Sequence, residues 1–258
     1  MERPWDLMQN PTVFFHFQMV ISVPLRYNIP KRGDTMKQSL FISALTKYIV
    51  GLALVMLLLF LPAGTLGYWN GWLFIALLFL PMLVLGVVLL LKAPDLLAKR
   101  LNHKESQSEQ KKVVSGSALM FLAGFILSAL DFRFGWSHVP VWVVILAAVV
   151  LLLSYGMYAE VMRENAYLSR TVEVQQGQKV VDTGLYGLVR HPMYLATVLL
   201  FLSIPLVLGS WWGFVVFLCY PFLIARRIRN EEQVLEEGLE GYRDYQNKVR
   251  YRLIPMIW

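Results

Sequence analysis

Two stretches of this 258-residue chain carry residues whose types and spacing suit chemistry. The first, LYGLVRHPMYLATV over residues 185–198, sets Arg190, His191, Met193 and Tyr194 around Pro192. Proline suits the first turn of a helix, where its missing N–H is not needed. A helix starting there presents a positive dipole end and unsatisfied amides, a ready site for a carboxylate or phosphate. The second stretch is ARRIRNEEQVLEEGLEGYRDYQNKVRYRLIP over residues 225–255. It spaces Arg227 and Glu231, and likewise Ile228 and Glu232, four residues apart, so each pair shares a helix face. Both carboxylates lie within two turns of an apolar block, where an unpartnered charge is disfavoured. Read alone, each stretch also resembles something plainer: a basic membrane flank in the first case, a solvated helix in the second.

What decides between these readings is whether the rest of the chain brings the two stretches together. Hydrophobic residues make up 57% of the sequence and charged ones 16%, with a net charge of +7 and a mean hydropathy of +0.53. This excludes an ordinary soluble domain, a disordered chain and a low-complexity polymer. Six apolar blocks are legible, at residues 48–62, 72–91, 113–130, 139–159, 193–208 and 211–225. A span needs about 20 apolar residues, so the first and the last two blocks lean on their flanks. The last two run together without a charge and are broken by LGSWWG at residues 208–213, which reads as the turn of a helical hairpin. Of the 24 Lys and Arg residues, only Arg133 falls on the side opposite the others. The positive-inside rule then puts both termini and the two long loops in the cytoplasm. It also assigns the basic charge to anionic lipid headgroups, with no call for nucleic acid.

The expected fold is all-α: a polytopic membrane bundle of about six spans with a small cytoplasmic β-hairpin and a C-terminal amphipathic helix. Residues 1–47 form an N-terminal cytoplasmic or interfacial segment, 48–159 the first four spans, and 160–258 the functional region. The apolar run at 13–25 is too short to span; it is either interfacial or dispensable, and no cleaved signal is expected. The hairpin is expected in TVEVQQGQKVVD, residues 171–182, with its turn at Gln176-Gly177. The lone Cys219 reads as a packed thiol, and the four scattered histidines predict no metal site. Antiparallel fifth and sixth spans return the acidic helix to the face that holds His191. The resulting pocket has an anion site, a cation site and aromatic faces at Tyr186 and Tyr194, an inventory that suits S-adenosylmethionine.

GLYGLVRHPMY, RIRNEEQVL and the closing GYRDYQNKVRYRLIP together resemble the isoprenylcysteine carboxyl methyltransferase family, with a similar pattern in the related phospholipid N-methyltransferases. The resemblance covers residues 175–255, about a third of the chain. It implies S-adenosylmethionine as cofactor, held by Gln175, Gln178, Lys179, Val180, Val181, Tyr186, His191, Pro192, Met193, Tyr194 and Glu231. It further implies that Arg227 engages the substrate carboxylate, and Arg190 joins Arg227 and Glu231 as a catalytic candidate. Ala196 stands where the family commonly has glycine. The acceptor would be a lipophilic or lipid-modified molecule that enters from the bilayer while the cofactor enters from the cytoplasm. Three alternatives are carried forward: a lipid-amine N-methyltransferase, an NADPH-dependent reductase of the sterol type, and a non-catalytic membrane protein.

Overall fold

A computed structural model describes residues 33–101, 108–165, 167–168 and 174–258. Among these the chain is helices and turns, with no strand. In order come α1 (Gly33–Ala63), α2 (Trp69–Lys92), α3 (Pro94–Leu101), α4 (Ser108–Phe134), α5 (Val141–Glu164), a 3-10 turn (Gly184–Gly187), α6 (Pro192–Val207), α7 (Trp211–Phe217), α8 (Tyr220–Gly238) and α9 (Tyr242–Lys248). The apolar run at 13–25 and residues 171–173 of the expected hairpin lie outside the described residues.

Among the described residues, five stretches are long and apolar enough to cross a membrane: Gln38–Ala63, Trp69–Lys92, Val113–Phe134, Val141–Glu164 and Trp211–Gly238. The chain is a multi-pass membrane protein. Large side chains such as Leu61, Leu80, Val84 and Leu153 face outward, as a lipid solvent allows. Where the sequence suggests six spans, five stretches among the described residues meet the length, the last of them made of α7 and α8 together. The fifth apolar block is α6, whose 16 residues reach only about 24 Å. Its length is set by Pro192 at one end and by Gly209, at φ +78°, at the other. A glycine is needed there, since a Cβ would also sit 3.2 Å from the Asn70 amide. α6 lies along α5 and against α7 and α8, with Tyr194, Ala196, Phe201 and Ile204 buried. The small Ala196 side chain packs with Tyr158 and Tyr186 in one cluster.

Three further differences have physical causes. α1 starts well before residue 48 and runs through Lys47, a mid-helix lysine that is buried and donates from Nζ to the Leu101 carbonyl at 2.9 Å. The last apolar block is not one helix: α7 stops at Phe217 and α8 restarts at Tyr220, where Pro221 lacks the N–H that would continue the ladder. Cys219, expected to be packed, sits exposed at that break.

The hairpin turn between α6 and α7 is fixed from the neighbouring helices. Tyr68 donates from its hydroxyl to the Leu208 carbonyl at 2.6 Å, and Asn70 donates to Val207 at 2.8 Å. Ser210 caps α7 by accepting from the Gly213 N–H and itself donates to buried Asp131. Asp131 also accepts from the Ser137 N–H at 2.7 Å and from its hydroxyl at 2.6 Å. One side chain thus ties the α4–α5 connection to the start of α7. Asp131→Ala leaves those donors without an acceptor, which costs about 1–3 kcal/mol per buried group. We expect a lower unfolding temperature in detergent, with ligand affinity at the far end of α6 unchanged.

Candidate active site

The site is built where the start of α6, the polar half of α8 and the closing segment converge. His191 is the N-cap of α6, with Pro192 in the first turn. The backbone N–H of Arg190 donates to Tyr251 and that of His191 to Arg252, each at 2.9 Å, so the C-terminal segment is laced to the helix start. This tip has few amides to offer an anion. Pro192 has no N–H, and the N–H groups of Tyr194 and Leu195 already reach the His191 carbonyl. The expected row of unsatisfied amides is correspondingly short.

Four residues apart on α8, Arg227 and Glu231 face the same target, as their spacing requires. The Tyr194 hydroxyl joins them: it donates to Glu231 Oε2 and accepts from Arg227 Nε at 2.8 Å. One residue further along, Ile228 and Glu232 are both buried. Glu232 gathers three nitrogen donors: Arg190 Nε at 2.8 Å, His191 Nε2 at 3.2 Å and Arg252 Nε at 2.6 Å. Arg190 Nη1 also donates to the carbonyls of Val249 and Arg250. Arg190 and His191 are therefore held in a clasp with Glu232 at the wall of the site.

Beside them, the 3-10 turn presents Tyr186. Its hydroxyl accepts from Asn165 at 2.9 Å, and its carbonyl accepts from the Tyr245 hydroxyl at 2.7 Å. Gly184 opens this turn at φ +51°, and a Cβ there would collide with the Glu164 carboxylate. That carboxylate accepts from the Leu185 N–H. The segment expected as a hairpin shows its turn but no ladder among the described residues. Gln178 N–H donates to the Gln175 carbonyl at 3.0 Å, and Gly177 takes φ +70°. Side chains close the loop in place of a second strand: Tyr167 donates to Gly177, and Gln175 donates to Tyr167. Outside the spans, the Lys248 ammonium holds the exposed Asp182 carboxyl below its ordinary range. Burial, then the nearby Glu232 and Glu231, pushes the Tyr242 hydroxyl well above the usual phenol range.

These parts enclose an open cleft with about 850 Å³ of empty space, part of it solvent. Gln178, Lys179, Val180 and Val181 line one side, Tyr186 another, and Arg190, His191, Met193 and Tyr194 enter from the α6 start. Arg227 and Glu231 face them from α8. Of the residues singled out in the sequence, Gln175 and Pro192 are not on the wall: Gln175 closes the turn and Pro192 is buried in the helix start. The wall also includes residues the sequence reading did not assign: Asn165, Tyr167, Leu168, Leu235, Leu239, Tyr242 and Tyr245. Tyr242 and Tyr245 carried a signal, three apart in GYRDYQNK on one helix face. Among the described residues no three His, Cys, Asp or Glu side chains converge as a metal site would require.

The cleft lies almost wholly within one segment that has known relatives. Residues 141–240 match the phospholipid methyltransferase family. The match runs from α5 to just past α8 and supports a membrane methyltransferase; α9 and the closing segment lie beyond it. The chain is also 30% identical over 91 residues to the mouse (Mus musculus) Delta(14)-sterol reductase TM7SF2. That similarity covers 34% of this chain and 22% of the reductase, so the chain matches about a fifth of that relative's length.

Proposed function

We propose that this protein transfers a methyl group from S-adenosylmethionine to the carboxylate of a lipophilic, isoprenylcysteine-like acceptor, working at the cytoplasmic face of a membrane. The observation that carries the proposal is the Arg227–Tyr194–Glu231 relay on the wall of the cleft. It sets a guanidinium and a carboxylate side by side, bridged by one hydroxyl. The donor set fits the cofactor: Glu231 for an ammonium, Tyr186 and Tyr194 for a sulfonium and a purine, Lys179 for a carboxylate. When bound, this cofactor supplies an electrophilic methyl on sulfur; an acceptor carboxylate is already anionic at neutral pH, so no general base is required. The protein's contribution is alignment and exclusion of water. Arg227 presents a planar fork to the acceptor carboxylate, Tyr194 fixes the plane of that fork, and the Glu232 clasp holds the helix tip in place. The placement of 23 of 24 basic residues on one side supports a cytoplasmic orientation for this face and for both termini.

A lipophilic acceptor is supported by an apolar groove with about 980 Å³ of empty space, lined from α1, α2 and α5 by Phe41, Tyr48, Leu83, Gly86, Tyr155 and Tyr158. Tyr158 belongs to the same buried cluster as Tyr186 and Met193 of the cleft. Gly86 is informative. A Cβ there would meet nothing within 4 Å, so no neighbouring helix requires the glycine. Glycine inside a helix costs about 1 kcal/mol relative to alanine; here its absent side chain keeps the groove wide. We expect Gly86→Phe to lower kcat/KM for an S-farnesylated cysteine acceptor at least about tenfold while cofactor affinity is unchanged; equal turnover would place the tail elsewhere.

The proposal is tested by calorimetry of the purified protein with S-adenosylhomocysteine, followed by transfer of a labelled methyl to S-farnesyl-N-acetylcysteine and to phosphatidylethanolamine. Binding with transfer to the acid supports the proposal, and transfer to the amine would make the protein a lipid N-methyltransferase. The likeness to a sterol reductase motivates one further arm. Saturable binding of NADPH with none of S-adenosylhomocysteine would replace methyl transfer by hydride chemistry.

A further inference from the structure

Tyr242 and Tyr245 sit three apart on α9 and both line the cleft, yet they are used differently. The Tyr245 hydroxyl donates to the Tyr186 carbonyl at 2.7 Å and so holds α9 against the 3-10 turn. The Tyr242 side chain is equally enclosed, 3% exposed, but its hydroxyl has no hydrogen-bond partner among the described residues. An enclosed hydroxyl without a partner is disfavoured, and phenylalanine would fill the same space without that penalty. Glu231, Arg190 and Tyr245 share the cleft wall with Tyr242, and the charges that act on its hydroxyl are those of Glu232, Glu231 and Arg190. Arg190 and Glu232 are already paired with each other. Glu231, whose own bridge to Arg227 runs through Tyr194, is the second carboxylate acting on this hydroxyl. A hydroxyl oxygen in that setting is matched by a cationic N–H donor. An ammonium has three N–H groups to place, and one carboxylate does not satisfy them all.

We infer that Tyr242 is a second ligand for the ammonium end of the bound cofactor, accepting from it beside Glu231. The inference rests on the S-adenosylmethionine reading above and adds to it a residue from outside the segment that matches the methyltransferase family, which ends at residue 240. It also gives α9 a role: Tyr245 docks the helix, and Tyr242 closes the amino-acid end of the cleft.

The test is Tyr242→Phe in the full-length protein, read by calorimetry with S-adenosylhomocysteine and with its desamino analogue, and by thermal unfolding without ligand. We expect affinity for S-adenosylhomocysteine to fall five- to tenfold. The preference for it over the desamino analogue should shrink by the same factor, and the ligand-free unfolding temperature should hold or rise. An unchanged preference overturns the inference, as does an affinity loss matched by a lower unfolding temperature, which is what a structural hydroxyl gives. Tyr245→Phe is the contrast: it should lower the unfolding temperature. Failure of the unmodified protein to bind S-adenosylhomocysteine would instead remove the cofactor reading, and this inference with it.

Discussion

Glu232→Gln should be the most damaging conservative change in the polar half of this protein. The substitution keeps the shape of the side chain and removes its charge. In the native protein that charge is the shared counter-ion for Arg190 and Arg252, and the same carboxylate lies 3.2 Å from His191 Nε2; these partners arrive from the α6 start and from the closing segment. The side chains of Arg190 and Glu232 are 6% and 3% exposed, while that of Arg252 is 36% exposed. The penalty therefore falls on Arg190, left buried with only neutral acceptors: two backbone carbonyls and the amide oxygen of the new side chain. Breaking a buried pair by neutralising one member costs about 3–5 kcal/mol, because the remaining charge stays desolvated. We expect the unfolding temperature to drop by on the order of 10 °C. The segment after residue 239 should become sensitive to trypsin at Arg243, Lys248 and Arg250, and S-adenosylhomocysteine binding should be lost. Arg252→Ala should be much milder, since water already screens that arm. A combined Arg190→Met and Glu232→Leu protein should unfold at a higher temperature than Glu232→Gln, because an apolar pair leaves no charge stranded. Retained stability and protease resistance in Glu232→Gln would mean that the clasp does not hold the closing segment.

That clasp was only half legible in the sequence, and the reason is sequence distance. Helical spacing put Arg227 with Glu231 and Ile228 with Glu232 on separate faces, and the structure keeps them there, the first pair lining the cleft and the second off its wall. Spacing cannot say which carboxylate turns inward or that its partners stand about 40 residues before and 20 after it. Asp131 escaped notice for a similar reason. It falls one residue beyond an apolar block and reads as the start of a polar turn, yet its partner Ser210 is 79 residues away. The local punctuation was clearer. Pro192 marked the start of α6 and LGSWWG the break between α6 and α7, and α8 ends at Gly238. The alternation of Val172 and Val174 pointed to a strand, but a strand needs a partner with free backbone groups. In the described part of that loop, Tyr167 and Gln178 hold the turn instead, with side-chain donors and acceptors taking the place of a ladder.

Arg227→Ala should separate the acceptor from the cofactor only incompletely, and the Tyr194 hydroxyl is why. Spacing alone suggests two independent ends: Arg227 for the acceptor carboxylate and Glu231 for the cofactor ammonium. In the structure both converge on one hydroxyl, which accepts from Arg227 and donates to Glu231. Removing the guanidinium takes away a charge-assisted fork and leaves the acceptor carboxylate to be desolvated alone, a loss of about 3–4 kcal/mol. At 1.4 kcal/mol per factor of ten this is about two to three orders of magnitude in kcat/KM. It also releases the Tyr194 oxygen from one of its two fixed partners, so affinity for S-adenosylhomocysteine should fall as well, by about two- to fivefold. Arg227→Lys should recover little turnover, because a single ammonium cannot reproduce a planar fork that also reaches Tyr194. The coupling is read by a double-mutant cycle with Tyr194→Phe. If the hydroxyl transmits between the two ends, Arg227→Ala in the Tyr194→Phe background should leave cofactor affinity unmoved while still lowering acceptor turnover. Additive losses of cofactor affinity in the two backgrounds would show that the ends act separately, and the hydroxyl would then be a passive bridge.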